Sequence, residues 1–449
     1  MKIALISPKA PFVSSNPEFT RFYESSPILE SYRKNWSGLG LGLPVVAALT
    51  PDHHECVIID ENIEQINFDE KYDLVGITAM TAQSIRAYEI AAVFRSKGIP
   101  VVIGGIHATV LPKEAMEHAD AVVEGEAEYL WPQLLLDFQK GQMKRRYKSE
   151  RLVNLEESPI PRYGLLKDKD YKVIWLQTSR GCPHDCEFCA SSRVFGAKYR
   201  HKSVGQVVKE VKELLRYNTN VHIGFSDDNL FVNRKYAKEL LREFKKLNFR
   251  WACQSDISVA RDDELLELMR ESGCFMVFIG FEGITEKNLG SVSQWKRKQL
   301  VNYPQYIEKI QSHGVGIIGS FILGFDGEDE SSFEKVRTFI IDNKLYACQF
   351  FIMTPFPGTA LRSRMEREGR ILDKPWSEYT IGNVCIKPTH MTPERLQQGF
   401  LEMFKGIYNE EIYKQNVKHF LDIEIALRRR KKKSASVIIK EDCLSENSP

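Results

Sequence analysis

Short apolar runs that alternate with helical patterns along most of the chain constrain its fold more than any other feature. In residues 1–142 the helical segment SIRAYEIAAVFRSKG is one of several that separate the apolar runs KIALIS, CVIID, DLVGIT, VVIGG and AVVEG. This alternation is typical of a parallel sheet with helices on both faces. We therefore predict an α/β fold whose first domain is a doubly wound, Rossmann-like sheet.

The carboxyl ends of these strands are the first candidate binding region, because ligands of doubly wound sheets bind there. Gly104 and Gly105 follow one apolar run, and His107 comes shortly after them. Glycine allows a backbone to approach a ligand closely, but a tight turn requires glycine as well. Both roles stay open for this glycine pair.

A second series of strand and helix units follows residues 143–170, a charged segment with prolines that we predict to be a linker. Between residues 171 and 356 helical patterns separate the runs KVIWLQTS, VHIGFS, FRWACQS, CFMVFIGF, VGIIGSFILGF and ACQFFIMTP. Six such units build a partial (β/α)6 barrel, with its site at the carboxyl ends of the strands.

The end of the chain carries a helical cap and then a basic stretch. Residues 357–427 are predicted to cover the barrel. Residues 428–449 begin with three arginines and three lysines and continue as a polar tail. We expect this tail to be solvated and disordered, or else to contact anionic lipid at a membrane surface.

The composition of the chain limits which binding partners and which cellular location are expected. Lys and Arg number 62 against 60 Asp and Glu, so the net charge gives no reason to expect nucleic acid as a partner. The first apolar run is too short for a signal peptide, and no stretch approaches the roughly 18 apolar residues of a membrane span. We expect a cytoplasmic protein, in which a tight cysteine cluster indicates a metal or redox site.

Three of the nine cysteines form such a cluster. Cys182, Cys186 and Cys189 are spaced C-x3-C-x2-C after the first barrel strand. Close thiolates favour iron–sulfur or zinc, and zinc would use His184 as a fourth ligand. Three ligands leave one iron of a 4Fe-4S cluster open to S-adenosylmethionine. An electron passed to the sulfonium can then release a 5'-deoxyadenosyl radical.

The cysteine spacing, with Phe188 before the last cysteine, resembles the radical S-adenosylmethionine superfamily over residues 171 to about 356. The resemblance implies that residues at the later strand ends hold the cosubstrate. The candidates are the pair Asp227 and Asp228 for the methionine amino group, Gln254, Ser255 and Glu282 for ribose and carboxylate, and Met353 at the end of the sixth strand. Helix capping by the aspartates and simple core roles for Gln254 and Met353 stay open.

The order of the two domains resembles the cobalamin-binding class of this superfamily. The segments GLGLGLPVVAALTP, VGITAMTAQ and VVIGGIHATVLPKEA carry the resemblance. It implies cobalamin over the strand ends near Gly104, Gly105 and His107, and typically methylation of an unactivated carbon. The D-x-H-x-x-G pattern that supplies a histidine ligand is absent, since Val57 stands where its glycine is required.

Other functions stay open beside methylation. Members of the class also perform cyclisation, rearrangement or oxidation, and a non-catalytic iron–sulfur or nucleotide-binding protein is the alternative outside catalysis. A methylthiotransferase would bring three cysteines in its first domain, whereas residues 1–170 contain Cys56 alone. The resemblance implies a small-molecule or lipid-like substrate and an electron donor such as flavodoxin or ferredoxin.

Overall fold

Two parallel sheets form the framework of the chain. The computed structural model describes residues 1–30, 39–184, 186–218, 220–289 and 294–445, and their side chains except those of 192, 193 and 430–445. Over this part of the chain the predicted α/β fold class is confirmed.

The first domain contains the predicted doubly wound sheet. Its strands are β1 (Lys2–Ser7), β2 (Glu55–Asp60), β3 (Leu74–Thr78), β4 (Val101–Gly104), β5 (Ala121–Glu124) and β6 (Arg146–Lys148). Its helices are α1 (Pro17–Ser25), α2 (Gly42–Leu49), α3 (Ser84–Ser96), α4 (Ile106–Val110), α5 (Pro112–His118) and α6 (Leu130–Gln139). The strand order is β2-β1-β3-β4-β5-β6, so the switch point lies between β1 and β3.

One strand of this sheet comes from the predicted linker. Arg146–Lys148 pairs in parallel with β5, so the linker prediction for residues 143–170 is wrong at this strand. Tyr147 is buried, while the neighbouring Arg146 and Lys148 are exposed and form ion pairs with Glu124. An edge strand of three residues is too short to show a period in the sequence.

The second domain is the predicted partial barrel. Its strands are β7 (Val173–Leu176), β8 (Ser179–Arg180), β9 (Arg200–His201), β10 (His222–Phe225), β11 (Trp251–Ser255), β12 (Cys274–Glu282), β13 (Gly316–Leu323) and β14 (Ala347–Ile352). Six of them form a parallel sheet in the order β14-β13-β12-β11-β10-β7, while β8 and β9 form an antiparallel ribbon. All six predicted strands are present, and the first is broken into β7 and β8.

The helices of the barrel lie between its strands. They are α7 (Ser191–Phe195), α8 (Val204–Tyr217), α9 (Arg234–Phe244), α10 (Asp263–Glu271), α11 (Glu286–Leu289), α12 (Gln294–Gln299), α13 (Tyr303–Ser312) and α14 (Ser331–Asp342). Most of the longer ones bury one apolar stripe against the sheet, as Leu240, Leu241 and Phe244 of α9 do.

The C-terminal region contacts both domains. It contains α15 (Ala360–Arg367), α16 (Pro393–Ile407) and α17 (Glu410–Ser445). Phe19 of α1 lies 5.2 Å from Phe400 and 5.0 Å from Phe404 of α16, measured between ring centroids. This aromatic contact joins the start of the chain to its C-terminal region.

The basic stretch belongs to a helix, which contradicts the predicted disordered tail. Helix α17 continues without a break from the cap through the run of arginines and lysines to Ser445. Arg and Lys are good helix formers, so a run of them can extend a helix that packing has already begun. Residues 446–449 lie outside the described part of the chain. None of the described helices is long and apolar enough to cross a membrane.

Candidate functional site

The three clustered cysteines lie in a loop, residues 181–199, whose base is closed by the β8–β9 ribbon. Cys186 is buried, and Cys182 and Cys189 are half-buried. The Cys189 amide donates to the Cys186 carbonyl at 3.0 Å, which fixes a turn between them. Burial raises the pKa of Cys182, and it raises the pKa of Cys186 to about 11. Metal binding to these thiols would therefore release protons.

The donor set of this loop fits an iron–sulfur cluster better than zinc. Cys182 and Cys189 are both close enough to Cys186 to influence its pKa. His184 lies 3.6 Å from Asp256 and packs against Trp295, so its ring already has two partners other than the thiols. In the described part of the chain no three Cys, His, Asp or Glu side chains stand at metal-binding separation. Three thiolates are ligands of the kind that iron–sulfur clusters use.

The two aspartates that follow β10 have different surroundings. Asp227 is fully buried, and its two carboxylate oxygens accept hydrogen bonds from the Thr178 amide, the Thr178 hydroxyl and the Ser179 hydroxyl. These bonds hold the strand end before the cysteine loop, which contradicts the predicted contact of Asp227 with methionine. Asp228 accepts a hydrogen bond from Ser191 Oγ at 2.5 Å. It therefore stays beside the loop as a candidate.

The end of β11 brings a further carboxylate to the loop. Ser255 donates to Asn229 Oδ1 at 3.2 Å, while the side chain of Gln254 is half-buried. The next residue, Asp256, accepts from Asn229 Nδ2 at 2.6 Å and faces His184. Burial alone would raise the pKa of Asp256, but its hydrogen bonds hold it well below the usual range. Asp256 is not among the predicted site residues, although it directly follows two of them, Gln254 and Ser255.

The end of β12 carries a buried ion pair beside the cysteines. Glu282 is 9% exposed and accepts a hydrogen bond from Lys296 Nζ at 2.7 Å. Its φ of 64° is unusual for a residue other than glycine, and such strain concentrates at functional sites. A Cβ on Gly280 would lie 2.3 Å from the Glu282 carboxylate, so a larger residue there would displace this carboxylate from its present position.

Lys296 is not among the predicted site residues, because the surrounding segment QWKRKQ has the composition of a solvated helix. Its side chain is nevertheless only 10% exposed. Burial lowers the pKa of Lys296, but the Glu282 carboxylate outweighs this and holds the pKa above its usual value. The pair therefore places a fixed cation and a fixed anion next to Cys186.

Met353 lies where the predicted sixth strand ends, in an apolar cluster beside the cysteine loop. It is 2% exposed and packs with Ile322, Phe325 and Leu361. Phe188, between the last two clustered cysteines, packs against the same cluster. This arrangement gives the loop an apolar floor.

A cavity of about 500 Å³ lies between the first sheet and the barrel. Its wall on the first domain includes six glycines, namely Gly40, Gly42, Gly76, Gly104, Gly105 and Gly125. A Cβ on Gly105 would lie 2.6 Å from Thr78 Oγ1, and its φ is 90°, so this glycine is also required by the turn. Glycines set among mostly apolar side chains leave room for a broad, flat ligand, and this wall fits a corrin.

His107 does not line this cavity, which contradicts its predicted role as a cofactor contact. In the single turn of α4, Ile106 and Thr109 face the cavity and His107 points the other way. Its Nε2 lies 3.2 Å from Glu114 and its ring lies beside Trp376 of the C-terminal region. Burial lowers the pKa of His107. None of the described residues that line the cavity is a histidine.

The cavity and the cysteine loop share a wall. Gln177 and Arg180 precede the cysteines, Phe195 follows them, and all three line the cavity. Arg180 bonds to Glu126 and Glu128 of the first domain, each at 2.6 Å. This contact is not predictable from the sequence, because nothing in a single sequence pairs the segment VEGEAEY with the segment TSRGC.

A second ion pair attaches the loop to the C-terminal region. Arg364 of α15 donates through Nε and Nη2 to the Glu187 carboxylate, and through Nη1 to Asp326. The Leu361 amide also donates to the Glu187 carbonyl at 2.9 Å. The cysteine loop is thus held from both sides.

Comparisons with known proteins agree with this geometry. Family models match residues 176–340 (radical SAM superfamily), 37–135 (B12 binding domain) and 359–443 (a domain of unknown function). The bacteriochlorophyllide d C-12(1)-methyltransferase of Chlorobaculum tepidum is 31% identical over 378 residues, covering 82% of each chain. An uncharacterized methyltransferase of Pyrococcus horikoshii is 30% identical over 411 residues, covering 83% of this chain and 88% of that protein.

A solved structure shows the same fold. The radical S-adenosylmethionine methyltransferase TsrM from Kitasatospora setae, with cobalamin and a 4Fe-4S cluster bound, aligns with a TM-score of 0.66 at 15% identity. The alignment covers 91% of this chain and 89% of that one. The predicted cofactors, a 4Fe-4S cluster, S-adenosylmethionine and cobalamin, are confirmed at the level of the family. The chain therefore belongs to the cobalamin-binding class of radical S-adenosylmethionine enzymes.

Proposed function

We propose that this enzyme methylates an unactivated carbon, using a radical formed at the cysteine loop and a methyl group carried in the neighbouring cavity. The observation that supports the proposal is the shared wall. Gln177, Arg180 and Phe195 flank the cysteines and also line the cavity. A radical source and a methyl carrier would thus face one small volume between the two domains.

Each cofactor has a set of candidate residues. Cys182, Cys186 and Cys189 would hold the cluster, and the glycine-rich wall with Gly104 and Gly105 would hold cobalamin. S-adenosylmethionine would contact residues around the loop, namely Asp228, Gln254, Ser255, Glu282 and Met353. When bound, the cluster and S-adenosylmethionine supply a 5'-deoxyadenosyl radical, and cobalamin supplies the methyl group.

The chain's own residues would bind and orient these groups and exclude water. The Glu282–Lys296 pair offers a buried carboxylate and ammonium that could fix the polar end of the cosubstrate. The packing of Phe188 on the Met353 cluster closes the apolar side of the loop. Exclusion of water there protects a reactive radical from side reactions.

The partners follow from this chemistry. We propose a small-molecule or lipid-like substrate, because the Chlorobaculum relative is named for a bacteriochlorophyllide. Flavodoxin or ferredoxin would deliver the electron, which agrees with the cytoplasmic location predicted from the sequence. The membrane contact predicted for the basic stretch stays a prediction.

The test is anaerobic purification with cobalamin present, followed by mass spectrometry of the bound corrin and of the products from S-adenosylmethionine and a reductant. Methylation predicts retained corrin and both 5'-deoxyadenosine and S-adenosylhomocysteine. Formation of 5'-deoxyadenosine alone would replace methylation by ring closure, rearrangement or oxidation. Neither product from a protein with a full cluster would favour the non-catalytic alternative.

A further inference from the structure

A buried ion cluster joins the two domains at the base of the cysteine loop. Arg180 Nη1 and Nη2 donate to Glu126 and Glu128, each at 2.6 Å, and Arg200 Nη1 lies 3.0 Å from Glu126. These four side chains are at most 11% exposed. Two cations balance two anions, so the cluster is neutral as a whole.

The two arginines of this ion cluster lie at the two ends of the cysteine loop. Arg180 and Arg200 are paired across the β8–β9 ribbon, so they mark the two points where the chain enters and leaves residues 181–199. Glu126 and Glu128 follow β5 and line the cavity. The cluster therefore connects the wall of the cavity directly to both ends of the cysteine loop.

Stability alone does not account for such a cluster. Burying four charges has a high desolvation cost, and apolar residues of the same size often serve stability as well or better. What a guanidinium adds is direction, because its planar fork fixes the orientation of two carboxylates at once. Gln177 accepts a hydrogen bond from Arg180 Nε at 2.8 Å, so the guanidinium is held by three different side chains.

We propose that Arg180 is a positioning residue for methyl transfer, which sets the separation between the corrin cavity and the cysteine loop through Glu126 and Glu128. This inference rests on the proposed function. Radical formation needs the cysteine loop and the barrel residues around it. Methyl transfer also needs the corrin cavity at a fixed distance from the loop. Loss of the Arg180 contacts should therefore impair methyl transfer and leave radical formation intact.

The central variant is Arg180→Lys. It keeps the positive charge but loses the planar guanidinium that bonds to two carboxylates at once. We expect formation of 5'-deoxyadenosine to continue while S-adenosylhomocysteine falls by about 10²-fold, the loss typical of a displacement of roughly 1 Å between reacting groups. Glu128→Gln should likewise form 5'-deoxyadenosine and lose S-adenosylhomocysteine formation. The double variant should be no worse than Arg180→Lys, because the two residues act as one unit.

A second readout uses the protein without cofactors. Amide hydrogen exchange should rise in Arg180→Lys both at residues 181–199 and at residues 125–130 of the first domain. Arg364→Lys is the matched control, because Arg364 holds the same loop through Glu187 but does not touch the first domain. This control should raise exchange in the loop and leave residues 125–130 unchanged.

The outcomes separate the two proposals. If the wild-type enzyme forms no S-adenosylhomocysteine, the proposed function fails, and the exchange experiment still tests the contact between the domains. If Arg180→Lys and Glu128→Gln lower both products equally, or leave exchange at residues 125–130 unchanged, the positioning role of Arg180 is overturned.

Discussion

The carboxylate of Glu282 accepts a hydrogen bond from Lys296 Nζ at 2.7 Å, and both groups are buried next to Cys186. Removing one partner of a buried pair leaves the other charge without compensation, which typically costs about 3–5 kcal/mol. We expect Lys296→Met to lower the free energy of unfolding by that amount in urea titration of the protein without cofactors.

Lys298→Met is the matched control, because Lys298 lies on the same short helix and is exposed. A surface substitution of this kind should change the free energy of unfolding by less than about 0.5 kcal/mol. Equal effects of the two variants would show that the buried pair has no special energetic role.

The cysteine assignment predicts the loss of iron from single variants. Cys182→Ser, Cys186→Ser and Cys189→Ser should each purify anaerobically with most of their iron missing, because hydroxyl oxygen is a poor substitute for thiolate on iron. Iron and sulfide analysis measures the effect. Cys56→Ala is the control, since Cys56 is buried in the first sheet. Loss of iron from that control, or retention in all three loop variants, would contradict the assignment.

Features with a regular spacing in the sequence could be predicted well. The alternation of apolar runs located the six parallel barrel strands, and C-x3-C-x2-C located the candidate metal ligands without any knowledge of the fold. The strand Arg146–Lys148 was missed because three residues carry no period. The helical path of the basic stretch was missed because its composition suits a solvated tail equally well.

The site residues that were predicted wrongly or not predicted have a different cause. The sequence does not show in which direction a side chain points or which partner it meets. Asp227 and Asp228 are neighbours in the sequence, but the first bonds inward to Thr178 and the second faces Ser191. Lys296 and Arg180 act through partners 14 and more than 50 positions away. Such pairings depend on tertiary packing, which a single sequence does not display.

A glycine of the cavity wall offers a test of backbone strain. The φ of Gly105 is 90°, and an added Cβ would lie 2.6 Å from Thr78 Oγ1 and 2.9 Å from the Ala79 amide. Gly105→Ala should therefore destabilise the first domain by about 1–3 kcal/mol. Gly104→Ala is the control, since its Cβ would meet Val123 at an ordinary 3.7 Å. Thermal and urea unfolding measure both variants, and similar losses would contradict the strain argument.

The buried ring of His107 predicts how stability depends on pH. Burial lowers the pKa of His107 below its usual 6.5, even though Glu114 opposes the shift. The unfolded chain therefore binds a proton that the folded protein resists, so this residue lowers stability as the pH falls below about 6.5. We expect the free energy of unfolding to drop more for the wild type than for His107→Gln between about pH 7.5 and about pH 5.5. Because the other titrating groups are shared, their effects cancel in the difference between the two proteins. Parallel pH profiles would show that His107 is free to take up a proton in the folded state.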